Sequence, residues 1–497
     1  MEQIRKLVGQ TAIYGLGTIV PRFLNYALLT PFYTRVFNTG EYGIVTELYA
    51  YMVVLLVILT YGMETGYFRF ASKENQPQKV YSTALGSILI TSSLFILAII
   101  LFNQQIADVM EYSDNKEYIL LFSLIITIDA CTAIPFAKLR REEKGFKFAM
   151  IKIVNVVVII GLALFFYVLA PKIYSKAPDG VISLIYSPEV GVGYVFIANL
   201  AGSIVTIILL LPEIIGIRVI IDKILWKKMI KYSFPLLIAG LAGTINDVVD
   251  KIVLKYLLTD QSTAMNQLGI YGANYKIGVI MALFIQMFRY AFEPFAFANS
   301  NKKNAREIYA VVMKYFVLFG LFIFLGVMFY LDIIVKLLLG KNFIVSQALE
   351  VVPIILIGYL LYGVFVNLSV WYKINELTKY GALITGVGAL VTVVINVSLV
   401  PVFGYHASAW AHIACYLIMV IMSYFIGKRF YKIPYETVKI LIYFVFGLVL
   451  YWVSRKVKTD IDMINLFINT GFLILFVVVV SWKEKIKWKI RREKEMR

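Results

Sequence analysis

Cysteine and histidine are almost missing from this chain, with two of each in 497 residues. Cys131 and Cys415 stand far apart in separate apolar runs, so neither a disulfide framework nor a thiolate metal knuckle is indicated. His406 and His412 flank and enter a single helix, and no H-E-x-x-H, C-x-x-C or G-x-S-x-G pattern occurs. There is no G-x-x-x-x-G-K-[ST] phosphate cradle either, and no polar stretch long enough to form a soluble domain that would carry one. ATP hydrolysis by the chain is therefore not expected. A membrane-embedded glycan-assembly enzyme is the different-class alternative, although such an enzyme usually needs a sizeable outer loop bearing catalytic carboxylates and no connection here exceeds about twenty residues. The sequence thus predicts neither an enzyme nor a metal or cofactor site.

Charge is also sparse, at 16% of residues, and acids are outnumbered, 30 against 48 Lys and Arg. What fills the chain is apolar. Hydrophobic residues make up 60% and mean hydropathy is +0.80, against about 45–50% apolar in an ordinary soluble protein. Long apolar runs separated by short charged connections predict an all-α polytopic membrane protein of about fourteen transmembrane helices. The first two spans fall near 8–34 and 42–65, the seventh and eighth near 232–256 and 269–298, and the last two near 437–454 and 463–482. A β-barrel would show short alternating segments instead. Lys and Arg crowd the connections of one side by about three to one, which places both termini in the cytoplasm. The excess of base thus reports topology and contact with anionic membrane lipid, not nucleic acid. The tail Lys483 to Arg497, with Ile486, Trp488 and Ile490 among its cations, reads as a membrane-surface segment.

A weak internal repeat relates the second span, opening Glu41-Tyr42-Gly43-Ile44, to the eighth, opening Leu268-Gly269-Ile270-Tyr271. Spans 1 and 7 then correspond as well. The implied organisation is two pseudo-symmetric six-helix lobes, 1–222 and 223–432, followed by two additional helices in 433–482 and the basic tail 483–497.

Intramembrane charge is concentrated in those four spans. Arg22 is the deepest in its span, roughly two-thirds of the way across a hydrocarbon core about 30 Å thick. At that depth a guanidinium is expected to face water, a partner charge or an anion. Pro21 and Pro31 bracket it and predict a bent or broken helix. Arg22, Asn25, Glu47, Asp247, Asp250, Lys251 and Lys276 are the expected substrate-binding residues of a water-filled cavity. Glu64, Arg289 and Glu293, near the cytoplasmic ends, are expected at an inner gate. Asp247 with Lys251 and Arg289 with Glu293 have the i,i+4 spacing of self-neutralising pairs. Asp129, isolated in span 4, is the expected ion-coupling residue.

The opening Gly9-Gln10-Thr11-Ala12-Ile13-Tyr14-Gly15, then Arg22-Phe23-Leu24-Asn25, Pro31-Phe32-Tyr33-Thr34-Arg35-Val36-Phe37 and Glu41-Tyr42-Gly43, resembles the bacterial polysaccharide flippases of the multidrug/oligosaccharidyl-lipid/polysaccharide (MOP) superfamily. Leu139-Arg140-Arg141-Glu142-Glu143-Lys144 and Tyr232-Ser233-Phe234-Pro235-Leu236 look like later segments of the same family. The resemblance implies two lobes around a central cavity in the bacterial inner membrane. Alternating access would move undecaprenyl-pyrophosphate-linked oligosaccharide outward, with a proton or sodium gradient or the membrane potential as the energy source. It also implies a polysaccharide polymerase and other assembly proteins as partners. Arg22 matches the basic residue often found in the family's first span. Peptidoglycan-precursor flippases and multidrug/cation antiporters share the implied fold.

Overall fold

The structure is a computed structural model that describes residues 15, 17–72, 76–215, 220–300 and 302–495, with side chains described at all of these except 298 and 485–495. Gly9 to Tyr14 of the opening motif, and the tail's side chains beyond Glu484, lie outside the described residues. Among the described residues there are helices and no strands.

The first helical stretch carries a π-helical turn at Asn25–Leu29 and continues as α1, Thr30–Val36. The irregularity expected from the two prolines takes this form, since Pro31 has no N–H to give to the turn before it. Next come α2 (Thr39–Thr60), α3 (Met63–Ala71), α4 (Pro77–Leu101), α5 (Lys116–Arg141), α6 (Gly145–Leu164) and α7 (Gly193–Ile214). They are followed by α8 (Lys223–Leu257), α9 (Gln261–Asn299), α10 (Ala305–Phe329), α11 (Val351–Leu368), α12 (Thr378–Phe403), α13 (Tyr405–Phe430), α14 (Thr437–Lys456) and α15 (Asp462–Glu495).

Twelve helical segments among the described residues are long and apolar enough to cross a membrane. The other two of the expected fourteen spans are the first, which is only partly described, and the seventh. The latter is α8, 35 residues long and carrying Asp247, Asp250, Lys251 and Lys255. The chain is an all-α, multi-pass membrane protein.

Local chemistry sets the helix ends. Asn38 accepts the Glu41 N–H at 2.9 Å while the Glu41 carboxylate accepts the Asn38 N–H at 2.8 Å, a reciprocal cap that starts α2. The helix stops where Tyr61 (φ 32°) and Gly62 (φ 69°) enter the left-handed region. Asp222 caps α8 by accepting the Ile224 and Leu225 N–H groups at 2.8 and 2.9 Å.

By contact the chain forms two compact units. One comprises Met1–Ala273 with Thr385–Ala411, and the other Asn274–Ile384 with His412–Arg497. Within the first, α7 packs on α5 and α6, α4 packs on α5, and α8 lies along α2 and α3. Leu48, Met63, Tyr67, Leu85, Ile88 and Ile119 are fully buried there. Within the second, α10 packs against α11, α14 and α15. Leu94 at 61%, Phe425 at 61% and Trp452 at 61% remain exposed, as helix faces directed at lipid require.

Candidate functional site

In the first unit, Glu47 is completely buried on α2. Its carboxylate accepts the Tyr112 hydroxyl at 2.5 Å and the Tyr256 hydroxyl at 3.4 Å, and lies 3.6 Å from the Lys255 ammonium. Lys255, also buried, donates to the Met110 carbonyl at 2.7 Å and meets Glu111 at 3.2 Å. A carboxylate so deeply enclosed survives as an ion only with this many partners. The cluster ties α2 to α8 and to the connection between α4 and α5. Lys255 and Tyr112 were not singled out in the sequence. Lys255 sits at a span end, where charge is ordinarily cheap, and Tyr112 comes from a remote loop. The charge of Lys255 was nonetheless the available signal.

One to two turns along α8, Asp250 is buried and accepts the Tyr271 hydroxyl at 2.6 Å. Lys251 donates to the Asp250 carboxylate at 3.1 Å and to the Asp247 backbone carbonyl at 2.8 Å. The ammonium thus engages the neighbouring acid as well as the preceding turn of backbone. On the next turn toward the N-terminus, Asn246 donates to the Thr385 carbonyl at 3.4 Å and accepts from Thr392 at 3.4 Å.

Arg22 and Asn25 are exposed, and Arg22 lies within electrostatic reach of Lys152 on α6. The Lys152 ammonium sits 4.1 Å over the Phe136 ring and also feels Asp129, Arg140 and Glu64. Three cations, Arg22, Lys152 and Arg140, thus share this part of the unit with two carboxylates, Asp129 and Glu64, the latter paired with Arg140, and the set keeps an excess of one cation. An anion is the ligand such an excess suits. Asp129 accepts the Ser203 hydroxyl at 2.7 Å, joining α5 to α7.

At the basic end of the unit, Glu64 is paired with Arg140. The buried Glu213 carboxylate takes Lys138 at 2.8 Å and Lys147 at 2.9 Å. Asp222, outside the spans, has its carboxyl held below the usual carboxylate range, first by the Leu225 N–H and then by Lys79.

In the second unit, Lys276 is exposed on α9. Arg289 pairs with Glu293 at 2.9 Å as the i,i+4 spacing predicts, and Lys373 adds a second cation to the same carboxylate at 2.7 Å. Lys314 on α10, buried, reaches Glu484 at 2.7 Å and Glu436 at 3.5 Å, while Tyr443 donates to Glu484 at 2.7 Å. That cluster fixes the last two helices to α10. Among the described residues no group of three or more His, Cys, Asp or Glu could hold a metal ion.

The pattern of the polysaccharide biosynthesis protein family matches residues 7–295, more than half of the sequence. The chain belongs to that family. The MatE pattern matches residues 235–398, so this member of the polysaccharide family lies within the MOP superfamily and is a multi-pass transporter. None of the curated proteins matches it. Its fold is similar to that of a lipid II flippase, MurJ, in an inward closed conformation, with TM-score 0.73 and 16% identity over 96% of this chain and 100% of that one. It is also similar to an inward-facing multidrug resistance MATE family transporter of the MOP superfamily, with TM-score 0.64 and 12% identity over 82% and 94%. A MATE structure in the straight conformation gives 0.61 and 13% over 85% and 95%.

Proposed function

We propose that this transporter flips a polyprenyl-pyrophosphate-linked oligosaccharide, the repeat unit of a surface polysaccharide, from the inner to the outer leaflet of a bacterial inner membrane by alternating access. The observation that carries the reading is the exposed Arg22 guanidinium with Lys152 in electrostatic range, inside the segment matched by the polysaccharide family. A planar fork and a second cation suit a pyrophosphate better than a cationic drug. Asn25, Asp247, Lys251 and Lys276 are the substrate-path residues of this reading, and the buried Glu47 and Asp250 brace the helices beside them. Glu64, Arg289 and Glu293 gate it. Asp129, hydrogen-bonded to Ser203, takes the coupling proton or sodium ion. Both termini face the cytoplasm, and a polysaccharide polymerase receives the product.

The nearer rival is a peptidoglycan-precursor substrate, favoured by the lipid II flippase likeness reaching 96% of the chain where the inward-facing MATE likeness reaches 82%. Both readings share a lipid-linked pyrophosphate headgroup. A strain lacking this gene distinguishes them. Loss of surface glycan with undecaprenyl-linked repeat units accumulating on the inner face supports the proposal. Intact glycan with lysis and lipid II accumulation overturns it.

A further inference from the structure

The basic end of the second unit holds a cavity that the transport reading does not use. Its volume is about 200 Å³, and its walls include Trp371, Ser423, Lys428, Tyr431, Lys432 and Tyr435. The Trp371 indole donates to the Ser423 hydroxyl at 3.1 Å and stacks on Phe430, with ring centroids 5.8 Å apart and planes within 3°. Gly427 permits this floor, since a Cβ there would come within 2.7 Å of the Trp371 ring. The roof is the connection from α13 to α14. Ile433 anchors it in the cluster of Phe292, Tyr309 and Val370, and the Arg306 guanidinium lies 4.5 Å over the Tyr431 ring.

Lys428 and Lys432 are exposed. Two other lysines of this unit have carboxylates, Lys373 on Glu293 at 2.7 Å and Lys314 on Glu484 at 2.7 Å. Among the described residues neither Lys428 nor Lys432 has an ion-pair partner. Two uncompensated ammonium groups at the mouth of an aromatic, hydroxyl-bearing cavity call for an anion. The cavity also sits where one apolar span, Tyr405–Phe430, ends and the next, Thr437–Lys456, begins. Tyr431, Tyr435 and the two lysines at such a junction mark the membrane interface. Phe425, 61% exposed, and Ile421, 45% exposed, stand three and seven residues before Lys428 and continue its face of α13. That surface suits acyl chains, which a free phosphate does not have.

We propose that this cavity binds the phosphodiester headgroup of an anionic membrane lipid such as phosphatidylglycerol. Lys428 and Lys432 hold the phosphate, the Tyr431 and Tyr435 ring edges flank the glycerol, and one acyl chain lies along Phe425 and Ile421. Basic recesses between helix ends are suited to such headgroups. Glu436 is four residues beyond Lys432 and meets Lys314 at 3.5 Å, so a lipid held here also steadies the entry to α14. The site requires only an interface. Its assignment to the inner leaflet rests on the orientation proposed above.

The test uses the purified full chain in neutral detergent, with lipid retention read by native mass spectrometry and unfolding read by a thermal melt. Added phosphatidylglycerol should be retained and should raise the melting temperature, whereas phosphatidylcholine should do neither. The Lys428→Gln/Lys432→Gln variant should retain phosphatidylglycerol about tenfold more weakly. Its melt without lipid should match wild type, because both side chains are exposed. Lys302→Gln/Lys303→Gln, on another exposed basic connection, is the control and should retain lipid as wild type does. Equal retention by the Lys428/Lys432 variant and wild type overturns the site. Equal binding of phosphatidylcholine overturns the anion requirement, and full stabilisation by inorganic phosphate alone overturns the lipid assignment. None of these outcomes depends on what the protein transports, so they leave the flippase reading to its own test.

Discussion

Gly43 and Gly269 meet backbone to backbone. A Cβ on Gly269 would lie 1.7 Å from the Thr39 carbonyl oxygen and 2.9 Å from the Gly43 nitrogen, and one on Gly43 would lie 2.2 Å from the Met265 carbonyl oxygen. These are the positions that the internal repeat aligns, so the two related helices cross where both have no side chain. Gly272, one turn further along α9, would clash with Thr46 in the same way, at 2.5 Å. Small residues at a helix interface let membrane helices approach this closely.

Gly269→Ala is therefore expected to force α2 and α9 apart. Overpacking of this kind costs about 1–3 kcal/mol or more, and the melting temperature in detergent should fall while membrane insertion persists. Gly386→Ala, inside α12 where nothing lies within 4 Å of the added carbon, should melt at or slightly above the wild-type temperature, because alanine is the better helix former. Equal melts for the two variants would show that the crossing relaxes without cost.

The Glu47–Lys255 cluster gives a second expectation. Lys255→Met removes the cation from a carboxylate with no solvent exposure, and breaking one side of a buried pair costs roughly 3–5 kcal/mol. Glu47→Gln should be similarly harmful, because Lys255 is itself buried. The double variant Glu47→Gln/Lys255→Met should recover much of the loss, since neither buried charge then remains. Thermal melts of the four proteins measure the coupling, and strictly additive losses would mean that the two residues act independently.

Orientation is tested by fusion. Fourteen spans would put both termini on one side, and the basic bias is the ground for expecting that side to be the cytoplasm. A reporter joined after Glu484 should be active only as a cytoplasmic fusion. Activity only in the periplasm would remove the fourteen-span arrangement.

The helical, membrane-spanning character was legible in hydropathy because each span must be apolar to sit in lipid. The enrichment of charge in spans 1, 2, 7 and 8 was legible for the converse reason, that charge in lipid is costly. Pairing was not. Arg289 and Glu293 stand at helical spacing and do pair, yet Lys373, which completes the group at 2.7 Å, arrives from another helix and no local pattern announces it. Asp247 and Lys251 have the same spacing, but the ammonium also takes the Asp250 carboxylate at 3.1 Å, because its long stem can turn toward the adjacent residue. Nothing in the sequence marks out Glu213, around which folding gathers Lys138 and Lys147. Partner choice at such distances is decided by tertiary packing, of which a single sequence preserves only the charges.

Arg22 carries the last prediction. Helical rise puts it at about the same depth as Asp247 when each span is measured from its cytoplasmic end, and both belong to the first unit. The proposal is that Arg22 engages Asp247 or Asp250 in one transport state and exchanges that carboxylate for the substrate pyrophosphate in another, a guanidinium fork being suited to both. Lys152 remains nearby as the second cation in either state. Arg22→Ala should then abolish glycan export while the protein still inserts at normal level. Arg22→Lys keeps the charge but not the bidentate geometry, and should leave partial export. Surface glycan at matched protein level is the measurement. Wild-type glycan from Arg22→Ala would show the arginine to be idle in transport. Rescue of a defective Asp247→Arg variant by Arg22→Asp would support the exchange directly, because reversing both charges restores the pair without restoring either original residue.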